Sequence, residues 1–226
     1  MRVDIVRGAQ MMPSARAELT HFRHRIFVQK LGWHMSDSPG GATHREGEET
    51  DEYDQDDTVY VTLRGDADAI VGCARLLPAT RRYLLVDHFR HLVDDLPAAV
   101  GRDEDWASPE TGIVITGESA ERGAVGPVWE LSRFAWESAG TKAPGQHRQE
   151  GQCDGARELL RAAVFAARAL GAKRLIGVTY VSLARLFRRL GVQTHQLGTA
   201  LRLEGRWVAA YRIDIDTVTL AALNLA

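Results

Sequence analysis

The chain has 226 residues, 45% hydrophobic and 26% charged, a size at which one or two globular domains bury a core without staples. Its 28 Lys and Arg against 30 Asp and Glu leave a formal net charge of −2, which excludes a global electrostatic grip on nucleic acid or an anionic membrane. The two cysteines, Cys73 and Cys153, have neither disulfide-framework nor zinc spacing, and no apolar run reaches the ~18 residues of a membrane span.

The opening MRVDIVRGAQMMPS has no apolar stretch of the secretory type, so a cytoplasmic protein with reduced, buried thiols is expected. From Ser14 to Leu31, Leu19, Phe22, Ile26 and Phe27 fall at helical spacing among basic residues, which predicts an amphipathic helix stopped by Gly32. Residues 34–57 are acidic and poor in apolar side chains, the composition of a mobile loop. TVYVTLRG and AIVGCARLLP, separated by the turn-like GDAD, predict a β-hairpin. RYLLVDHF reads as a short strand entering a helix near 89–96, and 100–126 is rich in glycine and acid.

VWELSRFAW (128–136) is strongly strand-like, and alternation puts Val128, Glu130, Ser132 and Phe134 on one side, Trp129, Leu131, Arg133 and Ala135 on the other. A loop composition covers 138–152. Ala156, Leu159, Leu160, Ala163, Val164, Ala167 and Leu170 then match the helical template, closed by Gly171. RLIGVTY predicts a buried strand, SLARLFRRLG a short basic helix and WVAAYRIDID a late strand. The order predicts one mixed α/β domain over 1–226, with helices packed on a sheet that is antiparallel in its first half.

Four local features could carry chemistry. RHRIFVQKLGW (23–33) holds Arg23 and Phe27 on one helical face with Trp33 beyond; DEYD holds Asp51 and Asp54; GCAR ends in Arg75; WELSRF holds Glu130 and Arg133. Each also has an ordinary explanation: core packing for the aromatics, a solvated loop for the carboxylates, and for the arginines a surface salt bridge contributing about 0–1 kcal/mol. Glu130 is the exception. A carboxylate among Val128, Trp129, Leu131, Phe134 and Trp136 is expected to be buried and to need a partner such as Arg75 or Arg133.

Arg23, Phe27, Trp33, Asp51, Asp54, Arg75, Glu130 and Arg133 occur in the order and spacing of the acyl-homoserine-lactone synthases, the LuxI-type autoinducer synthases. The chain resembles that family from about residue 15 to 215. The resemblance implies a three-layer sandwich like that of the GNAT N-acetyltransferases, a mixed, V-splayed sheet flanked by helices. It also implies two substrates, S-adenosylmethionine and an acyl thioester on acyl carrier protein or coenzyme A, with no cofactor and no metal. The acyl group passes to the methionyl amine. The carboxylate then closes a lactone at the carbon beside the sulfonium and releases methylthioadenosine.

On that resemblance Glu130 is expected as general base, held by Arg75 and Arg133. Arg23 matches the substrate carboxylate, and Phe27 and Trp33 match its sulfonium and adenine. Asp51 and Asp54 either contact the substrate or tie the acidic loop to Arg23 and Arg75, the structural role being favoured for at least one. Backbone amides near Phe134 would hold the thioester oxyanion. Thr179 stands where relatives carry a hydroxyl associated with acyl chains oxygenated at the third carbon, although it could equally satisfy a backbone carbonyl. Arg174, Arg185, Arg188 and Arg189 form a basic segment suited to an acidic carrier protein or to coenzyme A phosphates, or simply a solvated helix face. A GNAT acetyltransferase would share the fold, but no Q/R-x-x-G-x-G/A run precedes either late helix. A regulator that binds S-adenosylmethionine without turnover is the non-enzymatic alternative.

Overall fold

A computed structural model describes residues 1–32, 47–95, 128–137, 148–203 and 205–226, with the backbone alone for 148–153. Trp33, the segment 100–126 and the Cys153 side chain lie outside the described residues. Two compact units are built from interleaved stretches: Met1–Leu77 with Ser132–Ala166, and Pro78–Leu131 with Ala167–Ala226.

The first unit begins with a strand that composition did not reveal. β1 (Arg2–Arg7) runs antiparallel to β2 (Val59–Arg64), which pairs antiparallel with β3 (Ile70–Pro78). The β2–β3 hairpin turns through Ala67 and Asp68 at φ 58° and 62°, closed by a Gly65 N–H to Ala69 C=O bond of 2.9 Å. α1 (Pro13–Arg23) starts with proline in its first turn, where the missing N–H is no loss. It continues into a π-helical turn, His24–Lys30, in which Leu31 N–H reaches back five residues to Ile26 C=O at 3.0 Å. Leu19, Phe22, Ile26 and Phe27 pack with Tyr60, Ile70, Cys73 and Ala135, so the apolar face read from the sequence is the one buried. Arg25 and Lys30 both reach Glu137, just past the end of β4 (Val128–Trp136).

Residues 47–57, read from composition as the end of a mobile loop, are instead pinned turns. Gly8 N–H donates to Thr58 C=O at 2.7 Å and Ala9 N–H to Asp56 C=O at 3.0 Å. A Cβ at Gly8 would stand 2.1 Å from the Gln55 carbonyl oxygen, so only glycine permits this approach. Thr58, fully buried, donates its hydroxyl to Tyr53 C=O. Hydrogen bonding rather than apolar area orders this polar stretch, which is why low hydrophobicity misled.

In the second unit the first half of β4 pairs parallel with β5 (Arg174–Tyr180) over three positions, ending at Glu130↔Ile176. Beyond that register β5 runs on against β8 (Arg206–Asp214) alone, antiparallel to Tyr180↔Val208. α3 (Arg148–Ala169), which belongs to the first unit up to Ala166, lies between the parallel strands in the chain, as parallel pairing demands, and buries Ala156, Leu159, Leu160, Ala163, Val164 and Ala167 as its periodicity predicted. Its first residues, 148–152, were expected in a loop. β6 (His195–Gln196) and β7 (Leu201–Leu203) both pair with β8 and were not predicted.

The strand expected at RYLL is absent. Tyr83, Leu84 and Leu85 are consecutive buried residues opening α2 (Leu84–Phe89), not an alternating pleat. α4 (Val181–Arg189) follows β5 directly. α5 (Thr217–Ala222), also unpredicted, is capped by the Asp216 carboxylate accepting from Thr219 N–H at 2.8 Å. Among the described residues no helix is long and apolar enough to cross a membrane.

Candidate active site

Arg23, the last residue of α1, Arg75 on β3 and Arg133 on β4 are buried to 1%, 1% and 4% exposure. Three carboxylates from the pinned turns match them: Glu49, Asp51 and Asp54. Asp51 holds Arg75 Nη2 at 2.9 Å and Arg133 Nη2 at 2.8 Å through Oδ2, while its Oδ1 accepts from Tyr53 N–H at 3.0 Å. Asp54 Oδ1 accepts from Arg23 Nη1 at 2.8 Å, Arg75 Nη1 at 2.9 Å and the Tyr60 hydroxyl at 2.9 Å, and its Oδ2 from Asp51 N–H at 2.9 Å. Glu49 bridges the other two arginines, Oε2 to Arg23 Nε and Oε1 to Arg133 Nε at 2.9 Å.

The electrostatics follow from opposing effects. Burial alone would raise these carboxyl pKa values, but the guanidinium groups outweigh it. Arg75 and Arg133 bring Asp51 down to about 2. Arg23 and Arg75 hold Asp54 far below the carboxylate range, and Arg133 and Arg23 lower Glu49. Burial, with Asp54 next to the hydroxyl, pushes the Tyr60 phenol up. The cluster's three carboxylates are therefore ionised at neutral pH. All four oxygens of Asp51 and Asp54 are engaged within it, which gives both residues a structural role.

A strand pleat would not deliver this arrangement. Ser132 Oγ accepts from Arg75 Nε at 3.0 Å, and its neighbour Arg133 enters the same cluster. Consecutive side chains share a side because Arg133 lies at φ 50°, a left-handed residue inside a strand. The alternation drawn from VWELSRFAW, with Ser132 and Arg133 on opposite sides, is corrected here. Arg133 also stacks its guanidinium 5.5 Å from the Phe27 ring centroid. Its carbonyl accepts from Cys73 Sγ at 3.2 Å, and burial pushes that thiol up to about 12. Cys73 is therefore a packing residue.

The network unites Arg23, Phe27, Asp51, Asp54, Arg75 and Arg133. Phe134, half-buried in the same unit, makes an edge contact with Trp136 at 6.0 Å. Three members escaped the sequence reading: Glu49, Tyr60 and Ser132. Glu49 precedes Asp51 by two residues, so an extended stretch would set both on one side, and Tyr60 is the register partner of Arg75.

The second unit holds the rest. Glu130 is wholly buried, and its Oε1 accepts from Leu85 N–H at 2.9 Å. Thr179, half-buried, pairs with Ala209. Arg185, Arg188 and Arg189 are exposed on α4, whose Ala184 packs on Ala209 and Tyr211 of β8. Arg174 instead binds Asp214 at 3.0 Å. Asp214 lies an odd number of residues from Tyr211, so Arg174 faces away from the α4 arginines.

Residues 9–103 match the autoinducer synthase family model. Over its whole length the chain is 41% identical to an acyl-homoserine-lactone synthase of Ralstonia solanacearum, covering 94% of that protein. The crystal structure of TofI in a ternary complex with an inhibitor and MTA is similar at a TM-score of 0.74 and 38% identity, over 100% of this chain and 98% of that one. A crystal structure of a putative N-acetyltransferase from Lactobacillus plantarum, 16% identical, shares the fold at a TM-score of 0.52, over 96% of this chain and 100% of that one.

Proposed function

The chain belongs to the acyl-homoserine-lactone synthases, acyltransferases of GNAT-like fold, and from this we propose that it acylates S-adenosylmethionine from acyl carrier protein and lactonises the product. The observation that carries the reading is the set of three buried arginines closed by three carboxylates in which one donor, Arg23 Nη2, is buried without a hydrogen-bond partner among the described residues. Such a donor is costly unless a ligand completes it. The carboxylate of S-adenosylmethionine supplies the acceptor that the guanidinium fork fits.

Glu130 takes the proton from the methionyl amine. The nitrogen then attacks the thioester carbonyl, the carbon–sulfur bond breaks, and the departing thiolate takes the second proton the nitrogen loses, so that the carrier leaves as its thiol. Backbone amides near Phe134 hold the developing oxyanion. In the second step the substrate carboxylate displaces the neutral thioether from the carbon beside the sulfonium, which requires no further base. Phe27 acts through Arg133, on which it stacks, and Trp33 serves the adenosyl group. Arg75, bound to Asp51, Asp54 and Ser132, fixes the cluster from β3. Thr179 contributes a hydroxyl to the acyl pocket.

Carrier protein is the favoured donor because Arg185, Arg188 and Arg189 are exposed on one short helix, a local patch that attracts an acidic partner despite the net charge of −2. Incubation with S-adenosylmethionine and matched acyl-carrier-protein and acyl-coenzyme A panels, read by mass spectrometry, tests both parts. Lactone and methylthioadenosine are expected, with the carrier thioester turned over more efficiently. No lactone from any donor overturns the reading, and preference for coenzyme A overturns its donor.

A further inference from the structure

We infer that Glu49 is a positioning residue for S-adenosylmethionine: it clamps Arg23 and Arg133 together so that the remaining face of Arg23 meets the substrate carboxylate. The inference rests on the substrate reading given above. Glu49 is buried, and its two oxygens bind Nε of two different arginines, one ending α1 and one in the bulge of β4. Its backbone N–H donates to Thr20 C=O at 3.1 Å, so the peptide too is fixed to α1. Asp51 and Asp54 each bind Arg75 as well, whereas among the described residues the Glu49 carboxylate serves Arg23 and Arg133.

Arg23 has its Nε held by Glu49 and its Nη1 by Asp54, which fixes the plane of the guanidinium. A planar fork held at two points can present the third, Nη2, in only one direction. That atom is buried and has no hydrogen-bond partner among the described residues. Glu49 is also one of two carboxylates holding Arg133, the other being Asp51, in a left-handed backbone conformation that side-chain contacts must maintain. Removing the Glu49 bridge frees Arg23 to rotate about its side-chain torsions and turn Nη2 away.

Two variants of the full chain separate clamping from charge. Glu49→Gln keeps the length but offers only one acceptor oxygen, so it cannot bind both guanidinium groups. Glu49→Asp keeps the charge but lacks the reach to span them. Calorimetric affinity for S-adenosylmethionine without acyl donor, steady-state constants and melting temperature are measured on each. Both variants are expected to weaken binding about tenfold and to raise KM to match, with kcat at saturating S-adenosylmethionine within about threefold of wild type.

Wild-type affinity in a folded Glu49→Gln protein overturns the inference. Wild-type affinity in Glu49→Asp beside a weakened Glu49→Gln assigns charge balance instead and also overturns it, as does failure of both variants to fold. A wild-type protein that binds no S-adenosylmethionine fails differently, because it removes the substrate reading itself.

Discussion

Glu130 and Asp51 are both buried carboxylates, and the proposed function gives them opposite work. Asp51 has both oxygens engaged and titrates at about 2, so it cannot accept a proton at neutral pH. Glu130 is the last β4 residue in register with β5. Glu130→Gln should lower kcat by about 10²-fold or more while S-adenosylmethionine still binds; single-turnover acyl transfer with calorimetry checks it, and normal turnover removes Glu130 as the base. The Asp51 shift also sets an acid limit. Its folded pKa lies below the unfolded value of 3.8, so its contribution to stability is complete above about pH 4 and is lost as pH falls toward about 2. Circular dichroism should show unfolding free energy declining across that window, and a flat profile would contradict the ion pairing.

Strands and helices with clean periodicity were legible in the chain. The apolar face of α1, the β2–β3 hairpin and the buried stripe of α3 needed only their spacing. The parts that failed depend on contacts far away in sequence. β1 is an alternating but charged strand at the chain start, the turns at 47–57 are ordered by hydrogen bonds, and the bulge at Arg133 is a left-handed φ that no propensity assigns to arginine. Of the cluster, Arg23, Phe27, Asp51, Asp54, Arg75 and Arg133 were visible in the sequence, whereas Glu49 was not because its partners are 26 and 84 residues away. β5 carries a testable constraint of the same backbone kind. A Cβ at Gly177 would lie 2.3 Å from the Leu131 carbonyl oxygen, so Gly177→Ala must push the strands apart. It should lose about 1–3 kcal/mol by urea denaturation, and an unchanged midpoint would argue against so close an approach.

Charge is distributed so that the −2 total says little about any one surface. Buried arginines and carboxylates cancel within the cluster, while Arg185, Arg188 and Arg189 remain exposed. Reversing Arg185 and Arg189 to glutamate should raise KM for acyl carrier protein in low salt, with the difference shrinking as ionic strength shortens the screening length to about 8 Å near physiological salt. An unchanged KM would return this helix to an ordinary solvated face. Buried pairs are screened far less, so the same salt series should leave S-adenosylmethionine affinity nearly constant.

The cluster draws its members from the end of α1, the turns at 47–57, β2, β3 and the bulge of β4. Apart from β2, which supplies the uncharged Tyr60 hydroxyl, none of these segments can place its charge in a dry interior until the opposing charges arrive, because a lone buried ion is strongly disfavoured. Partly folded molecules with some of the segments docked should therefore be scarce, and hydrogen exchange at Asp51 and Asp54 should proceed through the same opening as exchange in β2 and β3. On the proposed function, competence to bind would then be a by-product of cooperativity: a molecule either completes this unit and can bind, or exposes it and is open to proteolysis.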